Sequence, residues 1–154
     1  MRTVLVYATL VAGLVSPLAA MSRAATVSDA TVRGERLFDG REPLTGRLAG
    51  HTAGLPPALG TCLACHGNAA SSSLLEARSA PALGCTVLLR IRERRGEPPF
   101  AYDPDKFCRT LRTGINPNDV VLQRTMPRFD IEQAQCDALW AYLTTKGAGC
   151  DDKR

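Results

Sequence analysis

The sequence predicts an all-α fold of about three to five helices, and three observations carry that expectation. Asp103-Pro104 pairs a capping residue with proline at the first helical position, and Gly114 offers a left-handed stop about ten residues later. Towards the C-terminus, Ile131, Ala138, Leu139, Tyr142 and Leu143 recur at helical spacing behind Asp130, with Gln133 placed to complete a capping box and Gly147 to end the run at about residue 146. No stretch alternates as the strands of a larger sheet would; Val87 to Arg95 is the one segment that reads equally as helix or strand.

The earlier elements follow the same logic. Asp29 to Asp39 reads as a short helix capped by Ser28 and stopped by Gly40, with Gly34 and Phe38 four residues apart on one face. A glycine there either admits a close neighbour or merely weakens a surface helix. Pro43 to Gly60 is rich in Gly and Pro and reads as an irregular wrap, Asn68 to Ser73 as a small polar loop, and Ala80 to Gly84 as a second turn-rich segment. Gly96-Glu97-Pro98-Pro99 closes the undecided stretch. Asn116-Pro117-Asn118 breaks the chain, Arg124 to Phe129 forms a loop before the last helix, and Asp151 to Arg154 is a tail.

A chain of 154 residues, 45% hydrophobic and 22% charged, suits one folded domain and excludes a disordered chain. The formal charge of +4 is too small and too scattered for a nucleic-acid binder, which concentrates its basic residues on one face. Aromatic residues make up only 5%, little for a core of this size, and six cysteines ask either for disulfides or for thiols spent on a metal or cofactor.

Residues 1–22 have the layout of a secretory signal: Arg2, an uncharged apolar run from Val4 to Val15, Ser16-Pro17, then small residues through Ala20-Met21-Ser22. The run falls short of the roughly 20 residues a bilayer-spanning helix needs. Cleavage is expected after Ser22, with Ala20 the nearby alternative and a retained membrane anchor the competing reading; a mature chain of residues 23–154 would lose Arg2 and carry 18 minus 15, or +3.

Cys62-Leu63-Ala64-Cys65-His66 is the attachment signature of a c-type haem. Two thiols one helical turn apart can add to the two vinyl groups of the macrocycle while the adjacent imidazole reaches iron. A thioredoxin-like pair would want a strand before the motif and a sheet to hold it, and a zinc site would want a second ligand pair at similar spacing. A second axial ligand should be a thioether or another imidazole. Without residues 1–22 the chain has one methionine, Met126, sixty residues after His66 in Thr125-Met126-Pro127, and one further histidine, His51, in the Gly/Pro-rich wrap. Met126 is the expected ligand, with His51 and an open iron site as alternatives.

In this order, from Gly34 to Leu143, the chain resembles a class I monohaem cytochrome c: Gly34 and Phe38 in a first helix, Cys62-Cys65-His66, Pro81 and Leu83, Met126-Pro127, then Leu139-Trp140-Ala141-Tyr142-Leu143. The resemblance implies a cytochrome c domain over 23–154, its helices wrapped around one covalent haem, with the first and last crossing so that Gly34 and Phe38 meet Leu139 and Tyr142. It also implies that the Pro81 carbonyl accepts a hydrogen bond from the far nitrogen of His66 and that Leu83 packs on the haem, although a core leucine accounts for Leu83 equally well.

Cys85, Cys108, Cys136 and Cys150 have no place in the minimal family pattern, and with an export signal they favour two disulfides. Of three connectivities, Cys136 with Cys150 is disfavoured, because about ten helical residues rise roughly 15 Å and only a few extended residues remain to bring the chain back. That leaves a lean towards Cys108 with Cys136 and Cys85 with Cys150. Arg90, Arg92, Arg94 and Arg95 read as a solvated basic face, or as a docking patch for an acidic redox partner. The expected function is one-electron transfer in a bacterial periplasm, between a dehydrogenase and a terminal oxidase or another cytochrome, with no enzymatic turnover, no nucleic acid, and a membrane only if the leader is retained. A peroxidase-type haem enzyme, with His51 as its acid/base group, and a gas-binding module with a labile sixth ligand are the alternatives.

Overall fold

The fold was analysed in a computed structural model that describes residues 18–67, 80–94 and 96–150. The apolar run Val4–Val15, the polar loop 68–73, Arg95 and the tail Asp151–Arg154 lie outside the described residues.

Among the described residues, five helices and two small antiparallel sheets make a mixed fold, which corrects the all-α, cytochrome-type expectation. Helix α1 spans Leu18–Asp39, α2 Leu63–His66, α3 Cys85–Leu88, α4 Pro104–Thr113 and α5 Gln133–Leu143. Strand β1 (Gly46–Arg47) pairs with β4 (Arg128–Phe129), and β2 (Arg92–Arg94) with β3 (Glu97–Phe100). The reason for the correction is local. Two-residue strands are too short to show alternation, so β1 vanished into the predicted wrap and β4 into the predicted loop. The undecided segment is both things in turn, one turn of helix at Cys85–Leu88 and then a strand. Its prolines, Pro98 and Pro99, read as a terminator yet sit inside β3, which a two-strand ribbon tolerates because each strand has an unpaired edge.

Helix α4 forms where the capping chemistry places it. The Asp103 carboxylate accepts the Lys106 N–H at 2.8 Å, Pro104 occupies the first turn, and Gly114 ends the helix at φ 69° with its N–H on the Thr110 carbonyl. The last helix starts later than its sequence suggests. Asp130 is still extended, its N–H bound to Thr45 O at 3.0 Å, and the Ile131 carbonyl is taken by Arg112 Nε at 3.0 Å. The cap is therefore Glu132, whose N–H is accepted by Gln135 Oε1 at 3.0 Å, and α5 stops at Leu143 rather than near residue 146. Helix α1 is longer than the predicted 29–39 and runs without a break through the predicted cleavage point at Ser22.

The core is set by the crossing of α1 and α5. A Cβ on Gly34 would collide with the Ala138 carbonyl oxygen and lie 2.7 Å from Tyr142 Cβ, so only glycine allows the two backbones to meet. Phe38 then stacks obliquely on Tyr142 with ring centroids 5.6 Å apart. Leu37, Leu139 and Leu143 are fully buried around this crossing, and Leu88, Phe107, Leu111, Phe129 and Ile131 extend the same cluster towards α4.

Two disulfides brace that cluster, with the connectivity towards which the chain geometry leaned: Cys108–Cys136 joins α4 to α5, and Cys85–Cys150 joins α3 to the segment after α5. Such bonds persist in an oxidising compartment. No helix among the described residues is long and apolar enough to cross a membrane.

Candidate functional site

The motif residues sit on a single short turn. Cys62 starts it, and its carbonyl accepts the His66 N–H at 2.8 Å, while Thr61 Oγ1 accepts the Ala64 N–H at 3.2 Å and so caps the turn from the side. Cys62 is buried and joins the apolar core, whereas Cys65 faces solvent. Of the six cysteines these two alone are free thiols. Burial pushes the Cys62 thiol up to about 12, which leaves it protonated and a poor thiolate nucleophile.

The His66 ring is the best-defined polar feature. Its Nδ1 lies 2.8 Å from the Pro81 carbonyl oxygen. A carbonyl can only accept, so the proton is on Nδ1 and Nε2 carries the lone pair. Nε2 is buried and has no hydrogen-bond partner among the described residues. Burial lowers the imidazole's affinity for a second proton, and the bond to Pro81 opposes that effect only in part. The chain therefore presents a neutral, oriented imidazole with its donor pair aimed at nothing that the described residues supply.

Pro81 and Leu83 lie on the segment that leads into α3. It is tethered from the far side by Ala148 N–H to Leu83 O at 3.0 Å and by the Cys85–Cys150 bond. Leu83 and Met126 are partly buried, and both pack against the cluster that contains Cys62. The structure thus joins Cys62, Cys65, His66 and Pro81 directly, and joins Leu83 and Met126 to them through shared core; among the described residues no hydrogen bond links Met126 to the motif turn. His51 is exposed in the wrap. Arg90 and Arg92 are exposed, as a solvated face requires, and the side chains of Arg94 and Arg95 lie outside the described residues.

One expectation is corrected here. A metal-binding, iron-containing cytochrome would be recognisable as a metal site if the protein gathered the donors itself. Among the described residues no group of three or more His, Cys, Asp or Glu side chains could hold a metal ion. The physical reason is placement: Cys62 and Cys65 face different surroundings, and the second histidine is out on the surface. The same finding argues against zinc, which needs a closed set of donors. The thioredoxin-like alternative fares no better. Strands exist, but the motif turn follows a 3-10 turn at Pro57–Leu59 rather than a strand, and among the described residues each sheet has two strands.

The donor set does fit a macrocycle that brings its own iron. Two unpaired thiols three positions apart, a buried imidazole lone pair without a partner among the described residues, and a thioether on the same core are what such a group asks of a protein.

Sequence reasoning missed Arg128, which is buried at 8% exposure immediately after Met126-Pro127. Its Nη1 donates to the Met126 carbonyl at 2.5 Å, and burial makes it easier to deprotonate than an ordinary arginine. Nothing in the sequence distinguishes it from the exposed Arg124. It also missed Asn116, whose side-chain oxygen accepts the N–H groups of Asn118 and Val120 at 2.9 Å each and whose amide donates to Glu97 at 2.5 Å, tying the loop after α4 to β3. No family model, curated protein or solved structure significantly matches the chain.

Proposed function

We propose that this chain is an exported one-electron carrier, with a single haem c attached through Cys62 and Cys65. His66 and Met126 would supply the protein's two ligands to its iron. Haem, when bound, supplies the ferric/ferrous couple. The protein's part is to hold both ligands through the exchange, so that no substrate reaches the metal. The observation that carries this reading is the His66 ring, pinned through Nδ1 to Pro81 with Nε2 buried and without a partner among the described residues. A histidine kept for packing or solubility has no use for an orphaned buried nitrogen, which costs free energy unless something binds it. The hydrogen bond to Pro81 also makes His66 a stronger donor.

Thioether ligation favours the ferrous state relative to two imidazoles, so a comparatively high potential is expected. The oxidising compartment read from the disulfides is, on this proposal, the periplasm of a bacterium. The partners are a dehydrogenase as donor and a terminal oxidase or another cytochrome as acceptor, met through small transient surfaces.

The test is expression with export in a bacterium that carries c-type haem maturation, followed by haem staining of the denatured protein and visible spectra. Covalent haem in the wild type, its loss in Cys62→Ser/Cys65→Ser, and slow carbon monoxide binding would support the carrier. A folded, disulfide-bonded protein with no covalent haem would overturn it. Rapid peroxide turnover would move the assignment to a haem enzyme. Met126→His should lower the potential without unfolding the chain, and an unchanged potential would remove Met126 from the ligand set.

A further inference from the structure

Burying a guanidinium is costly unless its donors are satisfied and its charge balanced. Arg128 is 8% exposed, and among the described residues no carboxylate pairs with it. Its hydrogen bonds go instead to backbone carbonyls of one loop, Met126 O at 2.5 Å and, more weakly, Leu122 O at 3.5 Å. The guanidinium lies against Gly114, where an added Cβ would overlap Cζ, Nε and Nη1. Gly114 itself accepts the Leu122 N–H at 2.7 Å, so both ends of the 114–126 loop meet at this one side chain. Its own backbone is held by β4, paired with Gly46 and Arg47 of β1.

A fold that needed only bulk here could use an apolar side chain at lower cost. The carbonyl nearest the cation belongs to Met126, the residue that would ligate iron. We propose that Arg128 is a positioning residue, fixing the Met126 backbone so that its thioether is held at the iron against competing ligands. This inference rests on the haem-carrier reading and adds a second residue to its sixth-ligand side. Arg128 acts through Met126 and does not touch the metal.

The experiment titrates the ferric, haem-loaded wild type with imidazole and follows the long-wavelength charge-transfer band that a thioether–iron bond gives. Losing a charge-assisted hydrogen bond should raise imidazole affinity about tenfold or more in Arg128→Gln. Arg128→Lys should fall between the two, since an ammonium can reach one carbonyl but not two. Gly114→Ala, which pushes the guanidinium out from the other side, should act in the same direction and keeps the test alive if Arg128→Gln does not fold. Asp103→Ala, which weakens α4 at its far end, should lower thermal stability and leave imidazole affinity unchanged. Imidazole affinity equal to wild type in all the Arg128 and Gly114 variants that fold would overturn the proposal. So would equal gains in Asp103→Ala, which would reduce the effect to general loosening. A haem-loaded wild type without the thioether band overturns this inference but leaves the carrier reading standing, whereas a wild type without covalent haem overturns both.

Discussion

The two candidate ligands are held in opposite ways. His66 sits on a short turn and is oriented by a side chain-to-backbone bond to Pro81, on a segment clamped to the stretch after α5 by a disulfide 65 positions long in sequence. Met126 sits on a loop, oriented through its backbone by a buried arginine, above an α4 tied to α5 by a disulfide of separation 28. The first arrangement fixes a ring, whose direction matters because its lone pair is in the ring plane. The second fixes a main chain and leaves a flexible thioether to find its partner. A carrier that keeps both ligands can use either device, but only the second should be sensitive to single side-chain changes away from the ligand.

Breaking the clamps one at a time is the strongest probe of that contrast. On a chain-entropy account, Cys85→Ala/Cys150→Ala should cost about 4 kcal/mol and Cys108→Ala/Cys136→Ala about 3.5 kcal/mol in denaturant unfolding. Amide exchange should then separate the regions: the first pair speeds exchange at Thr86–Leu88 and spares Phe107–Leu111, and the second does the reverse. Equal loss of protection in both places would mean the two sides are one cooperative unit.

Gly34→Val attacks what they share. Its side chain would drive α1 away from Ala138 and Tyr142, at a cost of about 3 kcal/mol or more, and protection on both sides should fall together. Thermal unfolding within a degree or two of wild type would show that the crossing is not the common platform.

Asp103→Ala is confined to the Met126 side. Loss of the cap on Lys106 N–H should cost about 1 kcal/mol and leave the motif turn untouched. The smallest effect is expected from Arg33 and Glu42, bridged at 2.7 Å at the C-terminal part of α1. The hydrogen bond from Arg33 holds the Glu42 carboxyl below its ordinary value. A depressed carboxylate stabilises the fold above its unfolded pKa, and that contribution is lost as pH falls through the lower folded value. With both side chains partly exposed, the pair should contribute about 0.5 kcal/mol at neutral pH. Arg33→Gln should flatten that acid-side dependence in a comparison of melting temperatures across the carboxylate range.

How far the chain could be read beforehand depended on whether the information was local. Asp103, Pro104 and Gly114 marked α4 because a cap, a fixed φ and a left-handed stop each act within one turn. The same reasoning placed the last cap two residues early, at Asp130 rather than Glu132, because Thr45 and Arg112, both distant in sequence, keep that stretch extended. Three of the four strands went unread because two-residue strands carry no period and prolines disguised a third, while β2 lies in the stretch that reads equally as helix or strand. Arg128 could not be singled out, since burial of a charged side chain is decided by the carbonyls and the glycine that close around it.

The amino-acid order by itself determined the chemistry on offer: a pair of thiols and an imidazole on one turn, one thioether in the following sixty residues, and four further cysteines for bridges. These are properties of residue type and spacing, which survive any packing. Tertiary structure alone decided which thiol is buried, which imidazole nitrogen keeps its lone pair, and which arginine leaves solvent to hold the Met126 loop. Each of those outcomes depends on groups brought together from far along the chain, and only the closed core, with water excluded, makes an unpartnered nitrogen or an unpaired cation matter.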